Sequence, residues 1–119
     1  MTIRVHIAPT AEQVRADNGV GQVVAAQYRY LSDYGIELSG PESADVIACH
    51  IQQGDLPRVD VLMCHGLYWS DVAHAPYQKW HREANARIVD AARKAYAITV
   101  PSDWVTACFR RDMRIQPHV

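Results

Sequence analysis

Apolar and polar positions alternate from the first residues. Ile3, Val5 and Ile7 are separated by Arg4 and His6, the period-two pattern of a strand over Ile3 to Ala8. A long polar connection runs from Pro9 to Asn18. Beyond it Val20, Val23, Val24, Tyr28 and Leu31 recur at helical spacing, with Asn18 suited to cap the helix start and Gly35 to stop it. Ile36 to Leu38 reads as a short second strand. Two similar apolar runs follow, Ala44 to His50 and Val59 to His65. Asp45-Val46-Ile47 and Cys49-His50 match Asp60-Val61-Leu62 and Cys64-His65 fifteen residues on, and each run reads as a buried strand ending in Cys-His. Ile51 to Val59 is shorter than a usual parallel crossover, so either this connection is a compressed loop or the two strands are not adjacent and parallel; the compressed loop is the expectation.

Pro76 suits the first turn of a further helix, in which Tyr77, Trp80, Ala84, Ile88, Ala91 and Ala95 form an inward stripe. Glu83 and Arg87 have the spacing of an i,i+4 pair, and Arg93 and Lys94 suit the helix end. Tyr96 to Val100 reads as a strand. Ser102 then caps a helix that buries Val105, Cys108 and Phe109, and Gln116 to Val119 starts another extended segment. This order predicts an α/β sandwich with a mainly parallel, Rossmann-like sheet. Ligands of such sheets bind beyond the carboxyl ends of the strands, and Asn18-Gly19, His50, His65-Gly66 and Ser102 all fall there.

Composition adds limits. The 119 residues, 49% hydrophobic and 21% charged, make one domain, residues 1–119. A net charge of −1 gives no overall field for nucleic acid, and no nucleic-acid binding is expected. Residues 1–74 carry four basic and nine acidic side chains and residues 75–119 eight and four, a split that solvated helices account for. Cys49, Cys64 and Cys108 are an odd set that fits reduced thiols in a cytoplasmic protein. The start of the chain lacks a signal-peptide core, and no apolar run approaches the ~18 residues of a membrane span.

The candidate chemistry gathers on the edge. Gly19-Val20-Gly21 opens a helix and suits a phosphate, although Val24 stands where a dinucleotide fingerprint needs glycine, and a plain helix-start turn is an equal reading. Cys49, His50, Cys64 and His65 have the ligand types of a zinc site, but neighbours on a strand point to opposite faces, so no metal is expected. The same geometry opposes a Cys64–His65 nucleophilic pair. A histidine at a strand end can simply bond backbone; beside Gly66 and the aromatic Tyr68 and Trp69, His65 reads instead as a working residue. Tyr68 and Trp69 either stack on a sugar ring or lie on the surface. Carboxylates at a spacing suited to glycoside hydrolysis are absent.

In this order and spacing the motifs resemble the N-terminal domain of retaining, family-4-type glycosyltransferases of the two-domain GT-B fold, over nearly the whole chain. Asn18-Gly19-Val20-Gly21 resembles the family's glycine-rich loop. Ala44 to His50 resembles its "D-V-I-H-x-H" strand, with Ala48 in place of the first histidine, and Val61 to Gly66 resembles the next strand, whose final histidine lies against the donor sugar. Tyr96 to Val105 is similar to its "I-x-V-S-x-x-V" turn, and Ile115 to Val119 to the lead into "I-P-N-G-V-D". The usual helix between the two histidine strands is reduced to Gln52 to Arg58, and the C-terminal donor-binding domain with its paired glutamates is missing. The resemblance implies the acceptor-side half of an enzyme that moves a sugar from a nucleotide-sugar to an acceptor hydroxyl with retention. It implies a diphosphate at Asn18, Gly19 and Gly21, and His65 as the catalytic residue, bonding the donor sugar or stabilising its developing positive charge through its backbone carbonyl. His50, Gly66, Tyr68, Trp69 and Ser102 are then acceptor or sugar contacts, with no cofactor beyond the donor substrate. This half alone is not expected to turn over, and its uncovered face could drive self-association. Some relatives act on lipids at the inner face of a membrane. The alternative is a stand-alone Rossmann-like module for an anionic ligand or a partner protein.

Overall fold

The computed structural model describes residues 1–15, 17–50, 54–65 and 78–118. The predicted α/β class holds. The strands are β1 (Ile3–Ala8), β2 (Ile36–Leu38), β3 (Val46–His50), β4 (Val61–Met63) and β5 (Ala97–Thr99), and the helices are α1 (Gly19–Tyr30), α2 (Lys79–Lys94) and α3 (Asp103–Cys108). Among the described residues every strand pairing is parallel, in the order β2-β1-β3-β4-β5. The chain winds from β1 to β2 in one direction and from β4 to β5 in the other. Right-handed crossovers then place α1 and α2 on opposite faces of the sheet.

The two faces carry separate cores. Under α1 lie Val5, Ile7 and Ala48 with the buried Val24, flanked by Val20, Tyr28 and Leu31. On the other face Cys49, Leu62 and Ile98 meet Ile88, Ala91 and Ala92 of α2 and Val105 of α3. Alternation along each strand produces this division, since Val5 and Ile7 point one way and Ile47 and Cys49 the other. Val23, expected on the inward stripe of α1, is 41% exposed, one step off the apolar line. Trp80, expected in the core, is half exposed, because the inward stripe of α2 begins only at Ala84; its ring packs on His81 with centroids 3.8 Å apart. Glu83 pairs with Lys79 at 3.5 Å rather than with Arg87. Pro76 and Tyr77 lie outside the described residues.

Two short connections explain how, among the described residues, five strands form with three α-helices. β2 ends opposite Val5, the residue opposite which β3 begins, so residues 39–45 need only step across β1. Ser39 N–H donates to the Val5 carbonyl at 2.9 Å on one side, and Asp45 N–H donates to the Arg4 carbonyl at 2.8 Å on the other. The step passes over His6, whose Nδ1–H donates to the Ser39 carbonyl at 2.9 Å, and so buries a side chain that alternation assigns to solvent. Across the second connection β3 and β4 are adjacent and parallel, Ala48, Cys49 and His50 pairing directly with Val61, Leu62 and Met63, while residues 51–53 of the expected compressed loop lie outside the described residues.

The fifteen-residue repeat is a structural device at its amino end. Asp45 accepts the Arg4 N–H at 2.8 Å while donating its own N–H to the Arg4 carbonyl. Asp60 does the same to Ile47, accepting at 2.8 Å and donating at 2.9 Å. Each carboxylate also meets an arginine, Arg4 at 3.1 Å and Arg58 at 3.0 Å. The Asp60 side chain is 17% exposed and that of Asp45 46%. Asp60→Ala should therefore cost about 1.5–3 kcal/mol, the range for a buried bond to a charged group, and Asp45→Ala clearly less. Urea unfolding of both variants checks this, and equal losses would contradict it.

At the C-terminal side, α3 runs into a wider π turn at Phe109–Met113, closed by Arg114 in the left-handed region at φ 54°. The extended segment beyond it lies along the outer edge of β5. His118 N–H donates to the Ile98 carbonyl at 2.9 Å, and Ile98 N–H donates to His118 Nδ1 at 3.1 Å.

Candidate functional site

The carboxyl ends of β1, β3 and β4 and the amino end of α1 share one edge. His50 is the last residue of β3 and stands opposite Met63. His65, two residues past Met63, therefore projects on the same face. Their rings lie with centroids 5.0 Å apart and planes inclined by 30°, and His50 Nδ1 is 2.7 Å from His65 Nε2. On its other side His50 Nε2 is 2.8 Å from Gln27 Oε1, and Gln27 Nε2–H donates to Met63 Sδ at 3.3 Å.

This chain has a direction. The opposite Gln27 amide orientation would set its oxygen against the thioether sulfur, acceptor against acceptor. With Oε1 toward His50, His50 Nε2 must carry the proton and donate. A neutral His50 then accepts at Nδ1, so His65 Nε2–H donates to it. The remaining lone pair, at His65 Nδ1, is carried by the exposed residue of the pair, whereas His50 is only 2% exposed. Burial, with the nearby charge of His65 adding to it, lowers His50 from 6.5 to about 4. Burial of part of its ring lowers His65 too. Both are thus neutral at pH 7, and the pair presents an oriented acceptor at the sheet edge.

The other sequence-picked residues divide. Asn18 caps α1, its Oδ1 accepting from Gly21 N–H at 2.7 Å. That bond occupies the Gly21 amide, and a Cβ at Gly21 would stand 1.8 Å from the Arg15 carbonyl oxygen, so this glycine is needed for close approach of the preceding loop. An anion at this helix end would meet the Gly19 and Val20 amides. Ser102 caps α3 by accepting from Val105 N–H at 3.3 Å. Gly66, Tyr68 and Trp69 lie outside the described residues. The cysteines do not join the histidines: Cys49 and Cys64 are buried in the core under α2, whereas the His50 ring turns toward α1. None of the three cysteines is in a disulfide, and all three are buried.

Gln27 was missed by sequence reasoning. Its signal is a polar residue at helical spacing from Val20, Val24 and Leu31, on a face that is otherwise apolar. His6 was missed as well, because alternation places it outside. No family model, curated protein or solved structure matches this chain. Among the described residues, no helix is long and apolar enough to cross a membrane.

Proposed function

We propose that the chain is the acceptor-side half of a glycosyltransferase that moves a sugar from a nucleotide-sugar to an acceptor hydroxyl with retention. The observation that supports this most is the His50–His65 pair, held at 2.7 Å on the carboxyl edge of adjacent parallel strands against Gln27 of α1. In the reaction the bond from the anomeric carbon to the diphosphate breaks with its electron pair going to the diphosphate oxygen. The acceptor oxygen bonds to the same face of that carbon, and its proton passes to the departing phosphate. The amino end of α1 suits the charge that develops on the diphosphate, through the Gly19 and Val20 amides and the helix dipole. His65 Nδ1, with its lone pair outward, suits a hydroxyl of the donor sugar and so fixes the ring for attack.

The test uses the product of the whole reading frame, so that any second domain encoded after Val119 is present. It should bind and turn over a nucleotide-sugar, and His65→Ala should lower kcat/KM by about 10²-fold, the usual loss for one oriented polar contact to a transition state. Normal transfer by His65→Ala would remove His65 from the mechanism. Failure of the whole product to bind any nucleotide-sugar would leave the reading of a binding module for an anionic ligand or a partner protein.

A further inference from the structure

The segment along β5 closes the outer edge of the sheet with one backbone bond and one side-chain bond. Ala97 N–H donates to the Asp60 carbonyl at 3.0 Å, and the Thr99 carbonyl accepts from Cys64 N–H at 2.9 Å, so both residues turn their backbone groups toward β4. Ile98, between them, turns its N–H and its carbonyl outward. The carbonyl is met by the His118 N–H, as a sixth strand would meet it. The N–H is met by a side chain instead, with His118 Nδ1 at 3.1 Å in the place of a strand carbonyl. A carbonyl accepts at every pH, whereas an imidazole nitrogen accepts only while it carries no proton.

The rest of the segment is anchored without this imidazole. Ile115 packs against the core under α2 and donates its N–H to the Phe109 carbonyl at 3.2 Å. Gln116 accepts from Arg110 Nε and donates from Nε2 to the Pro117 carbonyl at 2.9 Å, and Pro117 is buried. His118 is exposed, so it exchanges protons directly with solvent. Among the described residues it is in no ion pair. The titratable groups among the described side chains beside it are Tyr96 ahead of β5, Asp103 and Cys108 of α3, and Arg110, Arg111 and Arg114 at the π turn. We propose that His118 is a pH-operated latch on the edge of β5. Neutral, it closes the edge by accepting from Ile98 N–H. Protonated, it sets Nδ1–H against that N–H and lets go, while Ile115 to Pro117 stay docked. Histidine is the side chain whose charge changes between about pH 5 and 8. Once open, the edge shows an unpaired N–H and carbonyl, the groups by which sheet edges pair with other extended chains. The latch involves neither the His50–His65 pair nor a sugar, so it stands or falls separately from the transferase reading.

The experiment measures amide hydrogen exchange of Ile98 at about pH 7.5 and about pH 5.5, on either side of an ordinary histidine titration. Rates are expressed as protection factors, which removes the intrinsic effect of pH, and the buried Leu62 of β4 is the internal reference. In the wild type, Ile98 protection should fall relative to Leu62 by about fivefold or more at the lower pH, the loss of one net hydrogen bond. The His118 Nδ1 ¹⁵N shift should pass from acceptor to protonated over the same range. His118→Asn keeps an acceptor, Oδ1, near the place of Nδ1 and does not titrate, so its Ile98 should stay protected at both pH values. His118→Leu has no acceptor, and its Ile98 should be unprotected at both. All three proteins retain His50, so its titration acts on them alike. Wild-type protection that does not change with pH overturns the latch, as does an equal fall in His118→Asn or full protection in His118→Leu. If His118→Asn has already lost protection at the higher pH, its oxygen does not reach Ile98 and the wild type decides: a fall in Ile98 protection that does not follow the His118 ¹⁵N titration overturns the latch.

Discussion

Phe109→Ala should lower stability by about 3–5 kcal/mol, the cost of removing a fully buried aromatic ring and leaving its space unfilled. Phe109 is the only phenylalanine in the chain and is 0% exposed. It stands where α3 passes into the π turn, inside the core formed by Leu62, Ile88 and Ile98, and its carbonyl accepts from Ile115 N–H at 3.2 Å. The ring therefore connects β4, α2 and β5 and also anchors the chain that returns along β5. Small domains hold only about 5–15 kcal/mol in total, so the variant should lose more than about 10 °C in melting temperature or fail to fold. Tyr96→Ala is the control: an aromatic ring 85% exposed at the start of β5 should cost no more than about 0.5 kcal/mol. Thermal melts followed by circular dichroism compare the two. Similar losses would mean that Phe109 does not carry the packing assigned to it.

The fifteen-residue repeat shows how far the sequence could be read. Its apolar middles announce two buried strands, and its ends differ in meaning. At Asp45 and Asp60 the repeated residue bonds the N–H of the strand beside it, which is scaffold. At His50 and His65 the repeated residues bond each other, which is a site. A one-dimensional pattern shows both pairs with equal weight, because strand adjacency, and not spacing, decides which side chains meet. The order of elements was legible for the same reason that the pairing of side chains was not: period and caps are local, whereas register and crossover length are tertiary. His6 illustrates this most clearly. Alternation sends it to solvent, and only a connection short enough to step across β1 buries it. Gln27 is the converse, a polar residue on an apolar stripe, whose role appears once β3 is placed beneath α1. Trp80 shows composition misleading the reading, since a large aromatic at the right period still lies outward where the helix extends past the sheet core.

Lowering the pH from 7 to 4 should destabilise the protein by up to about 3 kcal/mol through His50 alone. Burial holds this imidazole at about 4, against 6.5 in the unfolded chain. Between those values the unfolded state binds a proton that the native state refuses, so stability is fully present above pH 6.5 and is lost as pH falls toward 4. The contacts enforce the refusal. His50 donates from Nε2 to Gln27 and accepts at Nδ1 from His65, so a second proton on His50 would set N–H against N–H. Asp17 and Asp45 titrate at the acid end of this range, because bonds from Arg15 and Arg4 hold both carboxyls below their ordinary value. His50→Leu removes the titration while stranding Gln27 and His65, so it should be less stable than wild type at pH 7 by about 1–3 kcal/mol. The difference between the two proteins should then shrink as the pH approaches 4, with other titrating groups cancelling in the comparison. Urea midpoints measured at several pH values give that difference, and a gap that stays constant from pH 7 to 4 would contradict the account. Gln27→Met offers a second arm. Without the amide oxygen nothing fixes the proton on His50 Nε2, so the ¹⁵N shifts of His50 and His65 should move from one tautomer toward a mixture. If they keep the wild-type pattern, the direction of the chain is set by something other than Gln27.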